Sequence, residues 1–331
     1  MFLGFLFFVF LDFFMTTLKR TIPAILLLTA FWARAQLPNP PPPAPIAHWV
    51  FDEEDGFAIL DHSGNGNTAE ILSDGVLLLS DDIIPTLHFD GNPITDPAVN
   101  AAVTSTALAG QIHDTFTLSA WVNPDSLQPC APILTKVTDT ETWDDGFGLF
   151  LGESGELSAF TGETNVLVDE NPPIPARPGA WSHVCLVFDG ATASLFINGQ
   201  PHSSVEPENP FLAVNNAPVN IGTLASETNP VPFHGHIADV RVYDTALDAA
   251  EILDLFTSTP VAELVDSLDT GIPDLWALFY NLDPFDPAMA AQVLQADGFT
   301  NRQKYVLGMN PLKAAQVSQK PLLRVYTPLE K

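Results

Sequence analysis

Few stretches of this chain combine residue types that could do chemistry. Trp143-Asp144-Asp145-Gly146 sets an aromatic beside two carboxylates in a loop, a combination that can stack on a sugar ring and accept hydrogen bonds from its hydroxyls. The same residues read equally as a tryptophan capping the edge of a sandwich. His234-Gly235-His236 puts two imidazoles on one side of a strand, because side chains alternate along it. Two histidines without a third ligand are weak support for zinc, so the pair reads as loop or edge histidines. Glycoside hydrolysis needs two carboxylates facing one cleft. Glu153 and Glu156 flank the Ser154-Gly155 turn, and Asp52, Glu53, Glu54 and Asp55 share a loop, so these acids read as solvated turn residues. Gly152-Glu153-Ser154-Gly155 lacks the second spaced glycine and the elbow of a serine nucleophile, and reads as a hairpin tip. No glycine loop ending in Gly-Lys-Ser/Thr occurs.

The elements that must position these groups are strands. Trp181 to Gln200 (WSHVCLVFDGATASLFINGQ) contains two apolar runs, His183 to Phe188 and Ala193 to Ile197, with Asp189-Gly190 between them and Asn198-Gly199 after. These dipeptides supply the positive φ that tight hairpins require. Val184, Leu186 and Phe188 share one face, while Cys185, Val187 and Phe196 keep the other from being fully solvated. Further strands are expected at Ala47 to Phe51, Leu87 to Phe89, Phe116 to Val122, Ile133 to Val137, Phe147 to Leu151, Leu157 to Thr161, Val219 to Ile221 and Ile237 to Tyr243. Turn signals separate them, Ser63 to Asn67 is glycine- and asparagine-rich loop, and no long amphipathic helix intervenes. An antiparallel sandwich follows, since parallel pairs need crossovers. Trp49, Trp121 and Trp181 lie in or beside strands and are expected in the core. Asp248 to Phe256 reads as a closing helix with Asp248 and Glu251 at capping-box spacing.

The 331 residues are 46% hydrophobic and carry a formal net charge of −28. Such a surface excludes nucleic acid and docking on anionic lipid, both of which need cationic groups. Met15 offers a second start, followed by Lys19-Arg20, an apolar run from Ile22 to Trp32 and Ala33-Arg34-Ala35. That is the pattern of a secretory signal over 1–35, too short in its apolar part to span a bilayer, so no membrane insertion is expected after cleavage. A proline-rich linker (36–46) follows. Cys130 and Cys185 could pair in an exporting compartment, but Cys185 reads equally as a small buried hydrophobe.

HWVFDEEDGFAILDHSGNGN (48–67), FTLSAWVNP (116–124), ILTK (133–136), WSHVCLVFDGATASLFINGQ (181–200) and FHGHIADVRVYDTALDAAEI (233–252) resemble, in order, the LamG-like domains of the concanavalin A-like lectin/glucanase fold. The resemblance implies an all-β, antiparallel jelly-roll sandwich over 47–257 with a small α-helical C-terminal module. It also implies an exported, non-catalytic binding or adhesion module whose partner is an extracellular glycan or surface protein. A polysaccharide-active enzyme on the same fold and a spacer without ligand are the alternatives; the Glu-x-Asp-x-x-Glu strand of such enzymes does not occur. The family often holds a structural calcium, for which Asp52 near the first strand and Asp239 near the last are the candidate metal ligands. Relatives often carry two acids where this chain has Ala238-Asp239.

DTGIPDLWALFYNLDP (269–284) and ADGFTNRQKYVLGMNP (296–311) resemble the calcium-loop and helix repeats near the C-termini of exported bacterial proteins, giving a helical module over 258–312 and a tail over 313–331. The loop positions hold Asp266, Leu268 and Thr270, then Val293, Gln295 and Asp297, and Lys304 stands where the second unit usually has Glu. Losing most carboxylates removes most calcium affinity. The helices persist: Pro273 suits a first helical position, Leu275, Leu278, Phe279 and Leu282 form a stripe, and Thr300 with Gln303 makes a capping box. The module is expected to keep its shape without its metal.

Overall fold

The computed structural model describes residues 43–54, 56–80, 84–94, 102–108, 110–112, 114–137, 146–162, 164–166, 175–207, 216–224 and 232–315. Residues 1–35, expected to be a leader, most of the expected linker and most of the expected tail lie outside them. In chain order the strands are β1 (Ala47–Trp49), β2 (Ala58–Ile59), β3 (Ala69–Ile71), β4 (Val76–Leu79), β5 (Thr86–Asp90), β6 (Val103–Ser105), β7 (Phe116–Pro124) and β8 (Ala131–Lys136). There follow β9 (Phe147–Leu151), β10 (Leu157–Thr161), β11 (Thr164–Val166), β12 (Ser182–Phe188), β13 (Ala193–Ile197), β14 (Gln200–Val205), β15 (Val219–Ile221) and β16 (His234–Tyr243). The helices are α1 (Ala249–Thr257), α2 (Asp274–Phe279) and α3 (Asn301–Val306).

All pairings are antiparallel and form two sheets. The first runs β14-β13-β12-β7-β16-β5-β4, with β1 also on β16; the second runs β11-β10-β9-β8-β15-β6-β3-β2. Leu118, Ala120, Val122, Val184, Leu186 and Phe188 of the first meet Phe147, Leu149, Leu151, Val219 and Ile221 of the second in one continuous core. No helix among the described residues is long and apolar enough to cross a membrane.

β16 is the hinge of the first sheet. One edge pairs with β7 throughout, while the other pairs with β5 at His234–Ile237 and with β1 at Val240–Val242. The hand-off falls at a bulge where Asp239 and Val240 oppose a single β7 residue, and Asp239 takes φ 44°. His48 Nε2 lies 2.5 Å from Asp239 Oδ1, and Arg241 donates to the same carboxylate at 3.0 and 2.9 Å.

The expected hairpins form, with one difference. Asn198-Gly199 is a two-residue turn with both φ positive (49° and 76°). Asp189-Gly190 instead opens a four-residue loop, Asp189 accepting from the amides of Ala191 and Thr192. Of the two readings open for the cysteines, the buried hydrophobe holds: Cys185 is buried, Cys130 is exposed and both are unpaired. The histidine pair is also corrected, because His234 and His236 open the central strand rather than a loop or edge.

The outer face of the first sheet is covered by α1. Its capping box at Asp248 and Glu251 is present, yet nine residues are marginal as an isolated helix, so packing supplies its stability. Ile252 and Leu255 bury against Cys185, Val187, Phe196 and Tyr243, and Phe256 stacks on Trp121 at 5.6 Å. Gly199 makes this possible, since a Cβ there would lie 2.9 Å from Leu253 Cδ1.

In the C-terminal segment Leu275 and Leu278 extend this cluster, while Ile272, Ala277 and Met289 form a small core of their own. Phe279 is not in the stripe; it is 79% exposed. Pro273 is the N-cap of α2 and not its first residue. Lys304 is fully buried, its Nζ 2.9 Å from Asp297 Oδ2, 3.0 Å from Lys313 O and 3.3 Å from Pro311 O.

Beneath α1, Ser119 Oγ and His183 Nε2 lie 2.9 Å apart, with Cys185 Sγ 3.7 Å from that nitrogen. The group resembles a nucleophile and base but is sealed from solvent: His183 is 1% exposed and burial pushes its imidazole down to about 3, while burial pushes the Cys185 thiol up to about 12. An unfolded histidine protonates near 6.5, so stability falls as pH drops from 6.5 towards 3. His183→Gln is expected to reduce the pH slope of unfolding free energy in that window by about one proton, measured by urea denaturation at several pH values.

Candidate functional site

A cleft of about 530 Å³ lies between the outer face of the first sheet and the C-terminal segment. Its upper wall is built by turn chemistry. Ala180 N donates to Arg177 O at 3.1 Å across Pro178-Gly179, proline fixing one central φ and Gly179 adopting 74°. Gly179 N donates to Pro124 O, so the turn is pinned to β7, with Arg177 on one side of it and Trp181 on the other. Trp181 is therefore not a core residue like Trp49 and Trp121; it is half-buried and lines the cleft.

The opposite wall is Leu264 to Asp269. Arg177 Nη2 donates to the carbonyls of Asp266 (2.8 Å) and Ser267 (3.1 Å). Asn198, held in its left-handed conformation by the hairpin, accepts from His183 N at 2.8 Å and donates to Ser267 Oγ at 2.7 Å. Ser267 in turn donates from N and Oγ to Asp274, at 3.0 and 2.5 Å. Asp274 is buried behind it; burial, only partly offset by the Ser267 bonds, pushes its carboxyl up to about 6. Asp266 faces its own turn, accepting from the amides of Thr270 (2.9 Å) and Gly271 (2.6 Å), while Asp269 is exposed at the rim. The cleft thus offers an indole, a guanidinium and a carboxylate around one polar space, which suits stacking on a ring and hydrogen bonding to hydroxyls, while the buried Asn198 amide is used up in holding the wall.

The residues singled out by type fall elsewhere. Trp143, Asp144 and Asp145 lie outside the described residues. Asp52 and Asp239 have different partners: Asp52 Oδ1 is 3.1 Å from His62 Nε2 and clusters with Glu53, whereas Asp239 is engaged by His48 and Arg241. Burial opposes the Asp239 charge, but His48 and Arg241 hold its carboxyl below the usual range. A calcium ion wants six to eight oxygens, and a guanidinium bidentate on the carboxylate repels a divalent cation, so the donors at Asp239 do not fit one. What sequence reasoning missed was Trp181 and Arg177; the signal was the Pro178-Gly179 turn between them.

Residues 96–253 match the concanavalin A-like lectin/glucanases superfamily. No curated protein matches the chain in sequence. Similar solved structures include domain 4 of the extracellular arabinanase AbnA from Geobacillus stearothermophilus in complex with arabinotriose (19% identity, TM-score 0.47, 64% of this chain and 97% of that one). The binding domain of Paraclostridial Mosquitocidal Protein 1 is similar at 18% identity and TM-score 0.46, over 65% of this chain and 52% of that one. A Trypanosoma rangeli sialidase complexed with 2,3-difluoro-KDN matches at 18% identity and TM-score 0.50, over 65% of this chain and 32% of that one. At these identities the likeness is one of fold.

Two outcomes are expected. Relative to Asp274→Asn, the wild type loses about 2 kcal/mol of stability as pH rises from 4 to 7, because a carboxyl raised to about 6 favours folding only while protonated; paired denaturation curves measure it. Adding millimolar calcium to calcium-free protein leaves the melting temperature unchanged, as read by calorimetry; a rise of several degrees would show a site that tolerates Arg241.

Proposed function

We propose, from the match of residues 96–253 to the concanavalin A-like lectin/glucanases superfamily, that the protein is an exported carbohydrate-binding module whose site is the cleft beside Trp181. The observation that carries this is the pairing of the Trp181 indole with Arg177 and Asp269 around one open polar space. A sugar presents an apolar face and a rim of hydroxyls, and an aromatic wall with flanking donors and acceptors meets both.

The arrangement favours binding over catalysis. Of the carboxylates nearest the cleft, Asp266 is committed to two amides and Asp274 is shut behind Ser267. Among the described residues only Asp269 stands at the rim with its side chain exposed, and glycoside hydrolysis takes two carboxylates across one bond. The leader over 1–35 and the net charge of −28 support an extracellular setting.

A glycan array with the mature protein, followed by calorimetry on its best ligand, tests the reading. Trp181→Ala is expected to weaken binding at least about tenfold with the fold intact by circular dichroism. Loss of binding in Trp143→Ala but not in Trp181→Ala would move the site to the Trp143 loop. Release of reducing ends from any glycan on the panel would overturn the binding-only reading.

A further inference from the structure

The sheet register brings together histidines that are far apart in the chain. His88 on β5 and His236 on β16 are direct cross-strand partners, and His236 is opposite Asn123 on β7. Asp125 follows two residues later and lies against the same pair. His88 Nε2 is 2.9 Å from Asp125 Oδ2, the His88 and His236 rings are 4.6 Å apart, and one ligand atom from each of His88, Asp125 and His236 lies within 4.8 Å of the others. His234 Nε2 stands 3.7 Å from the same Asp125 oxygen.

We propose that His88, His236 and Asp125, with His234 beside them, form a binding site for a late first-row divalent metal ion such as zinc. Two or three imidazoles with one carboxylate is a donor set for zinc, copper, nickel or cobalt rather than for calcium or magnesium. Ligands about 2 Å from a tetrahedral ion stand about 3.3 Å apart, so small side-chain rotations close the present spacing onto a metal.

The surroundings are built for such a site. The Thr86 hydroxyl meets His236 Nδ1 at 3.2 Å and the Ser126 hydroxyl meets His234 Nδ1 at 2.7 Å. Outer bonds of this kind orient imidazoles and direct Nε2 at the ion. The backbone is drawn in to suit. A Cβ on Gly235 would lie 2.4 Å from Asn123 O and 2.6 Å from Asp125 N, and one on Gly91 would lie 2.7 Å from His234 Cβ. The three ligand-bearing segments therefore approach more closely than any other residue at 91 or 235 permits. The Asp125 amide, donating to His234 O at 3.0 Å, ties the backbone of Asp125 to β16. His88 and His234 are partly buried (23% and 32% side-chain exposure), while Asp125 is more open at 40%, so an ion can enter from solvent and keep a water ligand.

Zinc chloride titrated calorimetrically into untagged, chelator-treated mature protein at neutral pH tests this. One equivalent is expected to bind and to raise the melting temperature, and cobalt in its place is expected to give the visible absorption of a tetrahedral site. His88→Ala, His236→Ala and Asp125→Asn, the last conservative at a half-open position, are each expected to weaken binding by at least roughly a hundredfold. His62→Ala, in the separate exposed group with Asp52 and Glu53, is expected to leave it unchanged. Absence of zinc binding by the wild type, or unaltered binding in Asp125→Asn and His88→Ala with folding intact, would overturn the proposal. Because the assay contains no glycan, its outcome is independent of the cleft.

Discussion

The carboxylate of Asp239 holds the first sheet together at the place where its central strand changes partners. The bulge lies where β16 passes from β5 to β1, and Asp239 occupies it in a left-handed conformation that a non-glycine residue adopts at a cost. The cost is offset because the unusual backbone aims the carboxylate at His48 of β1 and at Arg241. Removing one member of a largely buried charge group leaves the others uncompensated, so the three act as a unit. An acid that looks like a metal donor by type is here a structural ion pair, with a guanidinium in the place a cation would take.

Sheet pleat divides the rest of the molecule into framework and site. Inward residues of β7 and β12 fill the core between the sheets. Their outward neighbours meet one of two fates. Cys185, Val187, Phe196 and Trp121 are roofed by α1, and Ser119 with His183 are sealed beneath it, which removes them from chemistry whatever their types. Beyond the roof, the outward row continues as Asn123, His236 and His88, and there the polar groups reach solvent.

Strands with strong apolar content were legible by residue: β9, β10, β13 and β15 begin and end where their patterns do. So were both capping boxes, because they depend on residues three apart. β14 was not, since Gln200-Pro201-His202-Ser203-Ser204-Val205 is a polar edge strand held by the Asn198-Gly199 turn rather than by its own composition. β2, β3 and β6 are two or three residues long and are defined by their neighbours. Trp181 was misplaced because a tryptophan at the mouth of an apolar strand has the same local text whether it points into a core or along a cleft. The histidine cluster was half visible: His234 and His236 declare themselves at spacing two, but His88 and Asp125 join them only through the register of three strands.

Lys304 gives the C-terminal segment a different kind of economy. Its ammonium is surrounded by the Asp297 carboxylate and the carbonyls of Pro311 and Lys313, so the positive charge that ties these loop oxygens together is part of the chain. A bound ion stabilises a fold by mass action and is lost on dilution, whereas a covalently attached one has the same local concentration in every medium. The contacts that Lys304 makes therefore do not depend on ion supply, and they act as a permanent clasp on this corner of the protein.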